Sequence, residues 1–387
     1  MLRSAGAARF AWNWGLARRM AEYKATGKSS TAITQHKQLN ELKAPEFPWM
    51  YEVSKCAPQE SLRDLDKAYQ NFFRRVKAGE KPGFPKFKSK HRVLPHFRLS
   101  QPCPIANGKI KLPRIGWVRL KEHGYLPITG SQGARQLSVT VKGTGSGRWF
   151  VSVQCEVEAL EPKLPENAVE RIGIDVGLKN YIALSDGTTV DPPKALRKAM
   201  RRVKRLQRRV SSKLKGGSNR RKSVVRLNAA HFKVACQRAD FLHKLTSMLV
   251  KTKPAKTYVV EDLSIRNMVK NHRLAGAIAD AAWAEFVRQL EYKANAQGMT
   301  VMRAPRFFAS SKTCSRCGQA KDRLGLNERT YVCGSCGLML DRDLNTARNL
   351  AQLPQVLWEE TPGESTRCKA ARQTRKKTTS TPLGIDV

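Results

Sequence analysis

The chain has 387 residues, about 2.6 times the length of an average domain, so two or three domains are expected. Apolar residues make up 41%, enough for packed cores, and 72 lysines and arginines against 31 aspartates and glutamates leave a net charge of +41. These values exclude a wholly disordered chain. With no run of 18 apolar residues they also exclude a transmembrane helix, and the charge points to a nucleic-acid partner and no membrane.

Residues 3 to 76 read as helical. Phe10, Trp14 and Leu16 begin one apolar stripe, and Leu62, Leu65, Tyr69, Phe72 and Phe73 form another, with Pro45 and Pro48 between them. The basic stretch Lys81-Pro82-Gly83-Phe84-Pro85-Lys86-Phe87-Lys88 is a loop in which Lys86 and Lys88 are candidate nucleic-acid contacts. From about 92 to 160 the period changes to two. Leu137–Val141 and Trp149–Val153 alternate on either side of a glycine turn, so a small β-rich unit, read as a barrel, is expected. Residues 161–166, with two prolines, are a linker.

A second domain begins at Arg171. Ile172-Gly173-Ile174-Asp175-Val176-Gly177 is a buried strand that closes on an acid, and residues 180–184 are its hairpin partner. Two long helices follow. The first has an apolar stripe of Leu196, Ala199, Val203, Leu206, Val210 and Leu214; the second has Leu227, Val234, Leu242, Leu245 and Leu249. From Lys194 to Arg226 there are fifteen cations and no acid. Arg197, Lys198, Arg201, Arg202, Lys204, Arg205, Arg208 and Arg209 fall on the outer face of the first helix, where a single sign of charge suits phosphate contact. Another strand, 256–263, carries Glu261. A helix then follows with Trp283, Phe286, Val287 and Leu290 on one face, and Thr300–Met302 is a short strand.

Nine cysteines, an odd number with five scattered singly, fit a reducing cytoplasm and not a disulfide framework. Cys314 and Cys317, then Cys333 and Cys336, form two CxxC knuckles spaced for a tetrahedral zinc site. Four protein ligands would make that zinc structural. Asp343 lies in Asp341-Arg342-Asp343-Leu344-Asn345, at the start of a helix from about 341 to 352. One acid after a strand is ordinarily a turn or cap residue. Three such acids, Asp175, Glu261 and Asp343, on a polycation are explained by divalent metal, because Mg²⁺ prefers oxygen ligands and metal serves phosphodiester chemistry. Beyond Trp358 the sequence has little apolar content and is expected to be disordered.

In order along the chain, Gly173–Gly177, Val260–Leu263, the four cysteines and Asp341–Asn345 resemble the motifs of the TnpB family. These are compact transposon-encoded nucleases related to type V CRISPR effectors. Smaller matches are Arg238 with His243-Lys244, and Pro82–Phe87. The resemblance implies an α/β RNase H-like (RuvC-type) nuclease domain with an inserted four-cysteine zinc module. A helical and β-barrel, wedge-like nucleic-acid-binding lobe would precede it. The implied divisions are a helical recognition region, 1–78; a β-rich wedge-like region, 79–162; a first nuclease part, 168–310; a zinc ribbon, 311–338; a last motif and helix, 339–353; and a disordered tail, 354–387. Against the family pattern the chain starts almost at the helix of Ala8-Arg9-Phe10, where a β-strand usually precedes it.

The same resemblance makes Asp175, Glu261 and Asp343 the catalytic set with Mg²⁺, Asp175 bridging two ions, and makes Asp341 and Asp262 the lesser acids of their pairs. It implies guide RNA from the transposon end and double-stranded DNA as partners, a monomer, and a cytoplasmic, nucleoid-associated location in a prokaryote. The activity implied is RNA-guided, Mg²⁺-dependent DNA cleavage. The rival readings are a catalytically silent regulator of transposition, an unguided RuvC-like resolvase and a structural zinc-ribbon RNA-binding protein.

Overall fold

In the computed structural model the described residues are 1–122, 134–158, 161–306, 308–325 and 328–353, with the backbone of 378–385. They fall into two units, Met1–Ala159 with Thr374–Val387, and Leu160–Gln373.

In the first unit α1, Leu2–Thr26, stops at Gly27, whose φ of 70° is the left-handed geometry that ends helices. The Thr31 hydroxyl accepts the Thr34 amide and starts α2, Ala32–Leu42. A 3-10 turn at Pro48–Glu52 leads to α3, Cys56–Lys77. The stretch expected to be helical over 3–76 is therefore three helices, interrupted at Gly27 as well as at the prolines. Ala11, Leu39, Met50 and Leu62 form one of their shared cores.

The strands of this unit are β1, His96–Leu99; β2, Ile105–Ala106; β3, Lys109–Leu112; β4, Gly116–Arg119; β5, Arg135–Gly143; and β6, Trp149–Glu156. β5 and β6 make the expected antiparallel hairpin, and Trp149, Val151, Val153 and Cys155 all point inward from β6. Among the described residues these strands do not close into one barrel. They form a sheet β1-β5-β6 and a separate sheet β2-β3-β4, which share a core of Phe97, Ile110, Leu112, Val118, Val139 and Val151. The expected disordered tail is corrected in one stretch. Thr378–Ile385, rich in β-branched threonine, pairs antiparallel with the free edge of β6, and Pro382 is tolerated because this strand is itself an edge. Residues 354–377 and 386–387 of that tail lie outside the described residues.

The second unit is built on β7, Val169–Val176; β8, Ile182–Leu184; and β9, Thr189–Val190, which form a meander. Helices α4, Ala195–Ser211, and α5, Ser218–Thr252, follow, with the turn at Gly216-Gly217 between them. Then come β10, Ala255–Glu261; α6, Ile265–Met268; α7, Ala275–Ala281; α8, Trp283–Asn295; and β11, Thr300–Ala304. The hairpin of β12, Thr330–Val332, and β13, Met339–Asp341, precedes α9, Arg342–Ala351. The main sheet runs β11-β10-β7-β8-β9, parallel across β11, β10 and β7 and antiparallel beyond. Leu214, expected on the inner stripe of α4, lies past the end of that helix and is 84% exposed.

The twofold period of the strands sorts side chains between the two faces of this sheet. Ile172, Ile174, Tyr258 and Val260 enter a core with Leu242, Leu245 and Leu249 of α5 and with Phe286 and Leu290 of α8. The alternate residue Val259 packs with Ala304 and with Leu350 of α9 on the other face. Gly173 shares that second face, because a Cβ there would lie 1.9 Å from the Ala347 carbonyl oxygen of α9.

Candidate active site

The same alternation places Asp175 two residues beyond Gly173, and Glu261 two beyond Val259, on the α9 face. Val260 is paired with Ile174, so one further step of the parallel register sets Glu261 beside Asp175. α9 lies directly on Gly173, and Asp343 sits one turn before Ala347 on that helix. Two neighbouring strand ends and the first turn of a helix thus deliver three acids to one side of the sheet. All three are half-buried. Burial, then the charges of Glu261 and Asp343, hold the Asp175 carboxyl well above the usual carboxylate range. Burial and then Asp341 raise Asp343, while Arg329, Arg342 and Lys179 act against that rise.

Each lesser acid has a different partner. Asp341 is the N-cap of α9, its carboxylate accepting the amides of Asp343 at 2.9 Å and Leu344 at 3.3 Å. Asp262 accepts two bonds from Arg306, at 3.0 and 2.7 Å. Glu261 accepts the Ser310 hydroxyl at 2.6 Å. Ser310 and Arg306 have no signature of periodicity or spacing in the sequence. Only their place just before the first knuckle could have drawn attention to them.

Among the described residues the carboxylates are not gathered as compactly as the cysteines, which is the expected state of three like charges. Hard oxygen donors on one side of one sheet fit a hard divalent cation such as Mg²⁺. The four cysteine sulfurs lie within 4.8 Å of one another, with Cys314–Cys336 and Cys317–Cys333 both at 3.6 Å. A tetrahedral zinc site with Zn–S of about 2.3 Å has sulfur–sulfur edges of about 3.8 Å, so the four sulfurs fit zinc. Each knuckle turns on a left-handed glycine, Gly318 at φ 76° and Gly337 at φ 67°, whose amides return to the carbonyls of Cys314 and Cys333. The amides of Cys336 and Ser335 pull the Cys333 thiol down to about 6. At Cys317 the Gln319 amide is outweighed by burial and the neighbouring sulfurs, which push the thiol up to about 12.

The cationic face of α4 forms where the sequence pattern predicts it. Val203 and Leu206 are buried against Ala230, while Arg197, Lys198, Arg201, Arg202, Lys204, Arg205, Arg208 and Arg209 are all exposed. Among the described residues no acid pairs with any of them. Asp280 accepts the Leu196 amide at the start of this helix and is held by Arg238 at 3.4 Å. Arg238 is thus occupied structurally, as is Lys244, which pairs with Asp240. In the first unit Lys86 is exposed, and its carbonyl accepts the Trp12 indole N–H. Lys88 is half-buried, with its ammonium 3.4 Å from the centre of the Trp12 ring, so it braces the loop against α1. Phe84 is pinned edge-on by Tyr69 and Phe72, whereas Phe87 is 56% exposed.

Three family descriptions match the chain: "Probable transposase" (OrfB_IS605) over residues 152–272, "Cas12f1-like, TNB domain" over 283–350, and a helix-turn-helix domain over 1–28. A Streptomyces pristinaespiralis protein named "Putative RNA-guided DNA endonuclease" is 36% identical, covering 84% of this chain and 76% of its own. InsQ of Escherichia coli K12, which carries the same name, is 32% identical over 90% of this chain and 87% of its own. Among solved structures, a Cas12f1–sgRNA–target DNA complex has a protein chain that superposes with a TM-score of 0.53. That match has 17% identity and covers 90% of this chain and 81% of the other, a likeness of fold.

Proposed function

The chain belongs to the TnpB family, the OrfB-type proteins of transposable elements, and from that premise we propose that it is an RNA-guided, Mg²⁺-dependent DNA endonuclease. The observation that carries the reading is the convergence of Asp175, Glu261 and Asp343 from β7, β10 and α9 on one face of the sheet, the latter two within electrostatic reach of Asp175. These three residues would hold Mg²⁺, and Cys314, Cys317, Cys333 and Cys336 would hold a structural zinc. Bound Mg²⁺ would polarise the scissile phosphodiester and stabilise charge on the leaving oxygen.

The chain's own groups do the rest. The acids keep the metal on one side of the sheet. Lys179 and Arg329, both exposed and both acting on the charge of Asp343, offset the repulsion between that acid and a phosphate. Arg197, Arg201, Arg202, Arg205, Arg208 and Arg209 supply phosphate contacts that read the backbone without reading sequence. RNA and DNA are the named partners of the relatives and of the Cas12f1 complex, which supports both as partners here. No helix among the described residues is long and apolar enough to cross a membrane.

The test is to express the chain with its flanking DNA, sequence the RNA that survives high-salt purification, and challenge plasmids with the complex. One discrete RNA is expected, with Mg²⁺-dependent cutting that Asp175→Ala abolishes while DNA binding persists. Cutting without RNA would make the protein an unguided nuclease. Cutting by Asp175→Ala at the wild-type rate would remove the assigned site.

A further inference from the structure

We propose that Ser310 is a positioning residue that orients the Glu261 carboxylate from the base of the cysteine module. The inference deepens the nuclease reading and rests on it. Ser310 is 5% exposed, and its hydroxyl donates to Glu261 Oε1 at 2.6 Å. A carboxylate swings freely about its last torsion, and one fixed donor decides which oxygen is occupied and which is left for a cation.

The donor is itself held. The Asn349 side-chain amide donates to the Ser310 carbonyl at 2.7 Å and to the Thr313 carbonyl at 2.6 Å. The Asn345 amide also reaches the Thr313 carbonyl, at 2.8 Å, and its oxygen accepts the Ser315 amide at 3.0 Å. Both asparagines are buried and stand one turn apart on α9, the helix that carries Asp343. They grip only main-chain atoms, so they fix the path of residues 310–315 whatever side chains follow. Along that path Ser310 is the residue whose side chain reaches an acid of the site. The helix bearing one acid thereby clamps the segment that aims another. Outer partners of metal-binding carboxylates typically change metal affinity by 10–100-fold.

The experiment uses the full chain, freed of nucleic acid in high salt and zinc-loaded. Mn²⁺, a hard-oxygen probe, is titrated by electron paramagnetic resonance, with zinc content and thermal midpoint measured alongside. Ser310→Ala is expected to weaken Mn²⁺ binding about tenfold with zinc content unchanged. Ser310→Thr, which keeps the hydroxyl, should return to within about twofold of wild type. Should Ser310→Ala lose its cooperative thermal transition, Ser310→Cys takes its place, keeping the size with a poorer donor, and is expected to weaken Mn²⁺ likewise. Glu261→Ala is the reference and should remove the same Mn²⁺ binding. Wild-type Mn²⁺ affinity in the hydroxyl-deleted variant, beside weakened binding in Glu261→Ala, would make Ser310 a packing residue and overturn the proposal alone. Wild-type affinity in Glu261→Ala would overturn the acid site and the proposal together.

Discussion

Gly173 lends α9 the space that a side chain would take. A Cβ there meets the Ala347 carbonyl oxygen at 1.9 Å and the Ala351 amide nitrogen at 2.6 Å, and both are backbone atoms that cannot rotate away. Gly173→Ala therefore has to push α9 off the sheet, a cost of about 1–3 kcal/mol or more. It also moves Asp343 away from Asp175. Calorimetry should show the lowered stability, and a plasmid assay a drop in cutting of about 100-fold. Lys88 gives the pH prediction. Burial brings its ammonium from 10.5 down to about 8, with Asp64 acting the other way. The unfolded chain holds more protons between those values, so this residue makes stability rise as pH climbs from about 8 towards 10.5, and its cost is fully present below 8. Lys88→Met should raise the thermal midpoint at pH 7 by about 2–4 °C, the shift of roughly 1 kcal/mol in a unit of this size. That gain should vanish above pH 10.5.

At the scale of elements, α4 and the cysteine module make separable predictions. Replacing Arg197, Arg201, Arg205 and Arg208 with glutamine should weaken duplex binding without regard to sequence. The slope of log K against log salt should flatten by roughly 3 to 4, about 0.9 for each phosphate no longer neutralised. Wild-type slope in a salt titration would mean that this face is only solvated. For the module, elemental analysis should find one zinc per chain. A chelator should open residues 312–341 to protease before the α5 and α8 core yields, since among the described residues the module's own core is small: Tyr331, Leu324, Leu338 and the cysteines Cys314, Cys333 and Cys336. How much of this was legible follows from what leaves a pattern. Strand-end acids, paired knuckles and a one-signed helix repeat or sit at punctuated spacings, and the elements that carry them form where those patterns fall. The clamp of Asn345 and Asn349 on main-chain carbonyls, and the reach of Ser310 to Glu261, join segments far apart in sequence. Nothing local encodes them. Among the described residues the strands expected in a barrel form two sheets for a related reason, because alternation fixes which residues face inward but not which strands share hydrogen bonds.

For the whole molecule, +41 is a stored repulsion. The nucleic-acid-free chain should melt higher as salt rises from about 50 to about 500 mM, since screening within about 10 Å at 0.1 M relieves like charges. A polyanion such as heparin should raise the melting point further at low salt and have no such effect at high salt. A melting point indifferent to both would mean that the charge is dispersed too widely for its parts to interact.

The dependence of the site on α9 has a consequence for the chain as it is made. β7 and β10 leave the ribosome well before Asp343 does, and the strand at 378–385 later still. A polypeptide released between Glu261 and Asp343 by a nonsense codon or a stalled ribosome carries two of the three acids and all of α4. On the function proposed above, such a fragment would keep the cationic face of α4 without the full set of acids, so cutting would be among the last properties the molecule acquires.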